Sequence, residues 1–216
     1  MGFHRRGSSK FVIGVLLCGS LMCGAQEKGG RPEITVMLLN RAGVPRDVLS
    51  RAESEAARIF RAAGIDLTWN DCTATHQCHH APGPHEFVLS IVADGHTSSD
   101  MVYGVAFLDP EGNGKYADVF FRRIENAYGN SAGNIPRLLG TVAAHELGHL
   151  VLGTHSHGYS GVMTPVWKDA TLRAVGTGSL LFTSEQASFM KAKMDAGFSP
   201  SGTTEFTLVR RLPFLP

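Results

Sequence analysis

Five consecutive residues, His145-Glu146-Leu147-Gly148-His149, carry side chains that can bind a metal ion and move a proton. In an α-helix, side chains four residues apart share one face, so both imidazoles can reach one ion. Glu146 lies beside the first histidine and can address a water on that ion rather than the ion itself. Zinc suits this arrangement, because three protein ligands and an open position lower the pKa of bound water to about 7. The spacing therefore predicts one zinc ion on His145 and His149, with Glu146 as general base in a hydrolysis.

The two histidines also have an interpretation without a metal. They fall on the same helical stripe as Leu138, Val142 and Leu152, which is expected to face inward. A single histidine on such a stripe is more often a hydrogen-bonded core residue. Two of them beside a carboxylate are costly to bury without a metal or dense hydrogen bonding. The metal site is therefore the preferred interpretation.

The residues that follow this helix extend the pattern. They read Gly153-Thr154-His155-Ser156-His157-Gly158 and then Ser160-Gly161-Val162-Met163-Thr164-Pro165. From about Gly140 to Trp167 the chain resembles the metzincin metallopeptidases, whose signature is a zinc helix, a glycine that ends it, a third histidine and a methionine-containing turn. Met163 resembles the methionine of that turn.

This resemblance implies a fold and an activity. The fold is α+β, a zincin with a mixed, mostly parallel five-stranded sheet packed on the zinc-binding helix and with a C-terminal helix. The cleft is expected beneath an edge strand, for which 117–122 is the candidate. The activity is that of a zinc metallopeptidase, most simply a metalloendopeptidase, acting on a peptide or protein substrate.

The third zinc ligand is open between two residues. His155 keeps the spacing from His149 that the family uses, but the helix-ending glycine comes one residue late, at Gly153. His155 then lies only two residues past the chain reversal, whereas His157 lies four past it and has more slack to swing back. We therefore favour His157, with His155 as the alternative.

Other aromatic and sulfur-containing residues near this segment have weaker functional interpretations. Met163 and Trp167 also fit as core residues, and a methionine in such a turn acts by packing beneath the ligands. Tyr103 and Tyr159 are candidates for stabilising an oxyanion, although no spacing selects either.

Two rival functions fit the same residues. One is a zinc amidase acting on a cell-wall peptide or another non-protein amide. The other is a zinc-stabilised binding module without catalysis, which Glu146 argues against because such a module needs no general base. The net charge of +1 and the absence of a Lys/Arg-rich run predict no nucleic-acid partner.

The first 25 residues resemble a signal peptide. A basic leader precedes an apolar run at 11–23, and cleavage is expected before Gln26. The run is shorter than the roughly 20 residues that span a bilayer, and no later segment could span one. We expect a secreted or periplasmic monomer in which 26–216 forms one domain, with its core at about 34–195 and an irregular tail at 197–216.

Export changes what the remaining cysteines predict. Cys72 and Cys78 are close in sequence, so an oxidising compartment favours a disulfide between them. Four histidines crowd the same loop and offer a second metal site as the alternative: His76, His79, His80 and His85.

Hydrophobic and capping patterns along the chain predict the strands and helices that position these residues. Strands are expected at 34–40, 65–69, 87–92, 103–108 and 117–122. Helices are expected at 45–63, from about 136 to 152, and from a capping box at 183–186 to about 194. The order strand, helix, strand at the start predicts a parallel pair with a right-handed crossover.

Overall fold

The computed structural model describes most of the chain from residue 30 onward. The described residues are 1–2, 30–75, 78, 80–95, 97, 99, 101–128, 135–167 and 169–197. The chain divides into two units, 1–30 and 31–216, and all the described helices and strands belong to the second. Nearly all of the predicted signal peptide and of the predicted tail lies outside the described residues, so both stay predictions.

Five strands and six helices make up the described part of the second unit. The strands are β1 (Glu33–Asn40), β2 (Asp66–Asp71), β3 (Glu86–Val92), β4 (Gly104–Phe107) and β5 (Tyr116–Phe120). The helices are α1 (Arg46–Ala62), α2 (Cys72–Thr75), α3 (Phe121–Tyr128), α4 (Ile135–Leu152), α5 (Asp169–Thr177) and α6 (Ser184–Asp195). None of the described helices is long and apolar enough to cross a membrane.

The strands form one mixed sheet in the order β2-β1-β3-β5-β4. All neighbours are parallel except β4 and β5, which pair antiparallel. The predicted parallel pair of β1 and β2 and the predicted mostly parallel sheet are thus confirmed. The expectation that 117–122 is the edge strand is wrong. That segment is β5 and the start of α3, and because β5 pairs with β3 on one side and β4 on the other, β4 takes the edge.

The sheet and the helices share one hydrophobic core. Residues two apart on a strand share a face, and the buried side chains that alternate along β1 and β3 are Ile34, Val36, Leu38, Phe87, Leu89 and Ile91. Helix α1 packs on β2 and α4, while α4 also packs on β3, β4 and β5. Helix α4 is therefore the central helix, and all its residues except Ile135 and Arg137 are buried.

The end of α4 is the turn that the sequence predicted. Gly153 has φ +70°, a left-handed conformation that glycine adopts without the steric penalty of a side chain. Its N–H donates to the carbonyl of His149 over 2.8 Å, and Thr154 N–H approaches the same oxygen at 3.3 Å. The chain therefore reverses here and passes back beneath the helix.

Three helices were absent from the prediction. Helix α5 lies in a stretch for which no helix or strand was predicted, and Val175 is its one buried residue. Helix α3 follows β5 with no turn residue between them, so its start was assigned to a strand. The third, α2, is only four residues long.

The capping box of α6 is confirmed, because Thr183 Oγ1 accepts from Gln186 N–H and Gln186 Oε1 accepts from Thr183 N–H.

Cys72 and Cys78 are joined by a disulfide, with their Cα atoms 5.4 Å apart. Of the four histidines proposed for a second metal site, His76 and His79 lie outside the described residues. His80 Nε2 lies 3.2 Å from Glu86 Oε2 at the start of β3. That alternative site stays untested.

Candidate metal centre

His145 and His149 lie one turn apart on α4 and converge on one point. Their exposed fractions are 8% and 5%, and their ring centroids are 4.7 Å apart. The two Nε2 atoms are separated by only 3.1 Å. The helix therefore presents two imidazole nitrogens to the same small volume, as the four-residue spacing predicted.

The other nitrogen of each ring is held by a backbone carbonyl. His145 Nδ1–H donates to the Val162 carbonyl and His149 Nδ1–H to the Thr154 carbonyl, each over 2.7 Å. A carbonyl oxygen can only accept, so in a neutral ring the proton lies on Nδ1 and the lone pair on Nε2. Two lone pairs facing each other at 3.1 Å repel. This donor set fits a metal cation between them, and the carbonyl partners orient the rings as they do at other metal sites.

His157 completes the group. Its ring centroid lies 5.3 Å from that of His145 and 4.9 Å from that of His149. One ligand atom from each of His145, His149 and His157 lies within 4.8 Å of the others, the only such group of three or more metal-ligating side chains in the described part of the chain. His155 stays outside it, with its ring 6.4 Å from that of His149. The structure thus brings together the preferred set rather than the alternative.

The turn around Met163 supports the histidines from below. Met163 is fully buried, and a side chain at Gly148 would come within 2.7 Å of its sulfur atom, so α4 and the turn touch at a glycine. Gly158 N–H donates to the Met163 carbonyl over 2.8 Å, which ties the His157 segment to the same turn. Met163 therefore packs against α4 at the residue that directly precedes His149, and its role beneath the ligands stays a prediction of the resemblance.

Burial keeps the three histidines uncharged. Desolvation, reinforced by the nearby His149, lowers the pKa of His145 to about 3. Desolvation also lowers the pKa of His149 to about 4. The pKa of His157 is lowered by desolvation and by His155. Neutral imidazoles are the form that binds a metal, so the ligands need not lose protons at neutral pH.

The Glu146 side chain approaches the edge strand and lines the same cavity as the histidines. It is 5% exposed, and a side chain at Gly104 of β4 would come within 2.7 Å of its Cγ and Oε1 atoms. Burial raises the pKa of Glu146 to about 8. A metal cation bound by the neighbouring histidines would oppose that shift by favouring the carboxylate. The position and the pKa together suit a residue that accepts and returns a proton.

A cavity of about 260 Å³ opens onto these residues. Its wall opposite α4 is the segment 101–106, which comprises most of β4 and the residues before it. His155 and Trp167 also line it, and the Trp167 ring stands perpendicular to that of His145 at 5.7 Å. The histidines and Glu146 therefore share a concave, accessible space.

The two candidate tyrosines differ in their relation to this cavity. Tyr103 lines it, packs 6.1 Å from Trp167, and has its pKa raised by burial. Tyr159 is fully exposed and lines a second cavity of about 570 Å³ that shares only His157 with the first. Of the two, Tyr103 is the one placed beside the candidate site.

Sequence reasoning missed the glycines that shape the site. Gly104 leaves room for Glu146, and Gly148 leaves room for Met163. Gly148 lies inside the His145–His149 motif, so its position near the site could be predicted, but its contact with Met163 could not. Gly104 had no such signal, because its role depends on β4 being the edge strand.

Comparisons with known proteins bear on the fold. No protein-family model matches the sequence, and no curated protein matches it either. Among solved structures, the chain is similar to a zinc-dependent peptidase from Methanocorpusculum labreanum, with a TM-score of 0.53, 14% identity, and coverage of 72% of this chain and 99% of that one. It is also similar to an archaemetzincin from Methanopyrus kandleri, with a TM-score of 0.49, 15% identity, and coverage of 78% and 98%. The likeness to the M. labreanum structure shows a shared fold, which agrees with the mixed, mostly parallel five-stranded sheet of this chain.

Proposed function

We propose that this chain is an exported zinc metallopeptidase that hydrolyses peptide bonds. In this proposal His145, His149 and His157 hold one zinc ion, and Glu146 is the general base. The observation that carries the proposal is the convergence of three imidazoles on one point beside a buried carboxylate, inside an open cavity.

The donor set favours zinc and catalysis over a purely structural ion. Three protein ligands with an open side are typical of catalytic zinc sites, whereas structural sites are closed by four. The ligand group faces a cavity, and its described members number three. The M. labreanum protein of similar fold is a zinc-dependent peptidase, which supports the choice of peptide bonds as the substrate.

Different residues of the chain have separate roles in the proposed hydrolysis. Zinc, when bound, polarises a carbonyl and makes a neighbouring water more acidic. The carbonyls of Val162 and Thr154 keep both helix histidines in the tautomer that binds it. Glu146 takes a proton from the attacking water and passes it to the leaving amine. Gly104 leaves the space in which the Glu146 carboxylate stands.

The export half of the proposal is supported by two separate features. The first 25 residues have the leader, apolar run and small-residue site of a signal peptide. The Cys72–Cys78 disulfide is the kind of bond that persists in oxidising compartments.

The test uses protein beginning at Gln26, with Glu146→Gln as the variant and the exposed Glu125→Gln as its matched control. Wild-type protein is expected to carry about one zinc ion per chain and to cleave members of a broad peptide library. Glu146→Gln should keep zinc and lose at least ~10²-fold in turnover, because glutamine preserves the shape without the basicity. Turnover retained in Glu146→Gln would place the base elsewhere. Zinc well below half an equivalent in the wild type would contradict the metal site.

A further inference from the structure

Arg123, in the first turn of α3, is a buried cation that the metal centre does not use. Its exposed fraction is 6%. Its Nε–H donates to Asp94 Oδ1 over 2.7 Å. An arginine is expensive to bury unless its charge and its N–H groups find partners, so the surrounding contacts indicate what it holds.

The remaining N–H groups of Arg123 donate to one stretch of chain. Nη1 donates to Thr97 Oγ1 (2.6 Å), Ser99 O (2.5 Å) and Val102 O (3.0 Å), and Nη2 donates to Gly95 O (3.0 Å) and Thr97 O (3.2 Å). These acceptors and Asp94 all belong to the segment 94–102, which connects β3 to β4. Four backbone carbonyls of the segment thus turn inward to one planar guanidinium, whose five donors are in fixed directions.

The flat face of the guanidinium is covered as well. Arg123 Cζ lies 4.9 Å from the centroid of the Phe120 ring, a cation–π contact. Gly95 lies against the same ring so closely that any side chain there would overlap it. The described residues of the segment, the guanidinium and the ring are therefore packed as one unit.

This unit is joined directly to the cavity wall. Arg122 N–H donates to the Ala93 carbonyl (3.0 Å), and Phe120 N–H donates to the Tyr103 carbonyl (2.8 Å). The two ends of the segment are thus fixed by backbone bonds to the β5–α3 junction, and Arg123 holds the carbonyls between them. Directly after Val102 come Tyr103, which lines the cavity, and Gly104, which faces Glu146.

We propose that Arg123 is a positioning residue for the cavity wall. It acts as an internal cation that binds four backbone carbonyls, and so sets the position of Tyr103 and β4 relative to α4. The four carbonyls are those of Gly95, Thr97, Ser99 and Val102. Its loss loosens the wall while the three histidines, which are held by Val162, Thr154 and the Met163 turn, stay in place. The kinetic part of the test rests on the proposed peptidase activity, and the structural part does not.

The structural test is peptide-resolved hydrogen exchange on zinc-loaded protein. We compare Arg123→Ala with Arg122→Ala, which removes the same charge from an exposed neighbour. Arg123→Ala should speed exchange in 93–105 at least ~10-fold, the scale of losing one charge-assisted hydrogen bond, and leave 141–152 unchanged. Arg122→Ala should leave both regions unchanged. Zinc content should stay at the wild-type value in both variants.

A rescue experiment separates positioning from general loss of structure. Millimolar guanidinium chloride, far below denaturing concentrations, should slow exchange in 93–105 of Arg123→Ala, whereas equal sodium chloride should not. Where Arg123→Ala fails to fold, Arg123→Lys serves instead. It keeps the charge but not the planar fork, so the same region should still exchange faster.

The kinetic readout uses a peptide that the wild type cleaves. A displaced cavity wall weakens the binding of the substrate and of the transition state equally. KM should therefore rise at least ~5-fold, with kcat within ~2-fold of the wild-type value. Unchanged exchange in 93–105 would overturn the proposal, as would loss of protection across α4 or loss of zinc in Arg123→Ala. If neither wild type nor variant cleaves peptides while the exchange pattern appears as expected, the peptidase proposal fails and the role of Arg123 stands.

Discussion

At the scale of single residues, the metal centre depends on backbone groups as much as on side chains. His145 and His149 were evident from their spacing, but their tautomers are set by the carbonyls of Val162 and Thr154. Both carbonyls belong to the chain that returns beneath α4 after Gly153. A single sequence shows the histidines and cannot show their partners, because those contacts arise only when the return segment folds against the helix.

The same return segment decides the third ligand, and this yields a prediction. His157→Ala should weaken zinc binding by at least ~10-fold, because it removes one of three imidazoles that meet at one point. His155→Ala, the matched control two residues away, should leave zinc affinity within ~3-fold, less than the loss expected for a ligand or its hydrogen-bond partner, because His155 lies outside the ligand group. Competition with a zinc chelator measures both. If His155→Ala strips the metal and His157→Ala does not, the family spacing was the better guide.

The lowered histidine pKa values predict how metal-stripped protein responds to acid. Glu146→Gln serves as the background, so that the Glu146 carboxyl does not titrate. A histidine has an ordinary pKa of 6.5, which we take for the unfolded chain. In the folded chain the pKa falls to about 3 for His145 and about 4 for His149. Below pH 6.5 the unfolded chain therefore binds more protons than the folded one, and the free energy of unfolding falls as pH falls.

This loss should begin near pH 6.5 and continue toward pH 4, amounting to a few kcal/mol. Urea denaturation at pH 7.5 and pH 5 measures it. Adding a His145→Asn substitution to the background should flatten the slope. A free energy of unfolding that is constant across this range would mean that the two rings are not buried as neutral groups.

At the scale of elements, the edge strand β4 is the part of the site that the sequence left unplaced. Its segment was recognised as a strand, but its neighbour β5 was expected at the edge. Sheet order depends on which strands pair across long stretches of chain, and a strand pattern of period two carries no such information. The role of Gly104 could therefore not be predicted, because its small size matters only when β4 faces Glu146.

We therefore predict that Gly104→Ala lowers turnover but leaves zinc bound. The added carbon would lie 2.7 Å from Glu146 Cγ and Oε1 and 2.8 Å from the Asp118 carbonyl, so the carboxylate must move. Turnover should fall on the order of 10²-fold, as for other small misplacements of catalytic groups, while zinc content stays unchanged. Gly176→Ala is the control, because a side chain there meets nothing within 4 Å. Equal turnover in the two variants would show that Glu146 does not need the space at residue 104.

The elements that were predicted well are those with local signals. Helix α4 has Pro136 in its first turn and Gly153 after its end, and α6 has the capping box at Thr183. Helix α3 lacked such signals, whereas α5 was missed although Gly178, with φ +72°, follows its end directly. In physical terms, caps and turns are decided by neighbouring residues, whereas the sheet order and the packing of α5 on α4 depend on residues distant in the sequence.

At the scale of the whole molecule, the disulfide links the fold to the proposed place of action. We expect exported protein to contain a closed Cys72–Cys78 bond, since the two Cα atoms stand 5.4 Å apart in a geometry that a disulfide spans. Intact mass with alkylation before and after reduction measures it. Two free thiols in exported protein would contradict the prediction and favour the second metal site on His76, His79, His80 and His85.

Helix α4 also affects which substitutions the molecule can accept. Apart from Ile135 and Arg137, its residues are buried on every side by α1, the sheet, the Met163 turn and α6. An ordinary helix such as α1 alternates exposed and buried positions, so changes can accumulate harmlessly along its outer stripe. Helix α4 has no such stripe. Its tolerance to mutation should therefore be low at nearly every position rather than rising and falling every 3.6 residues.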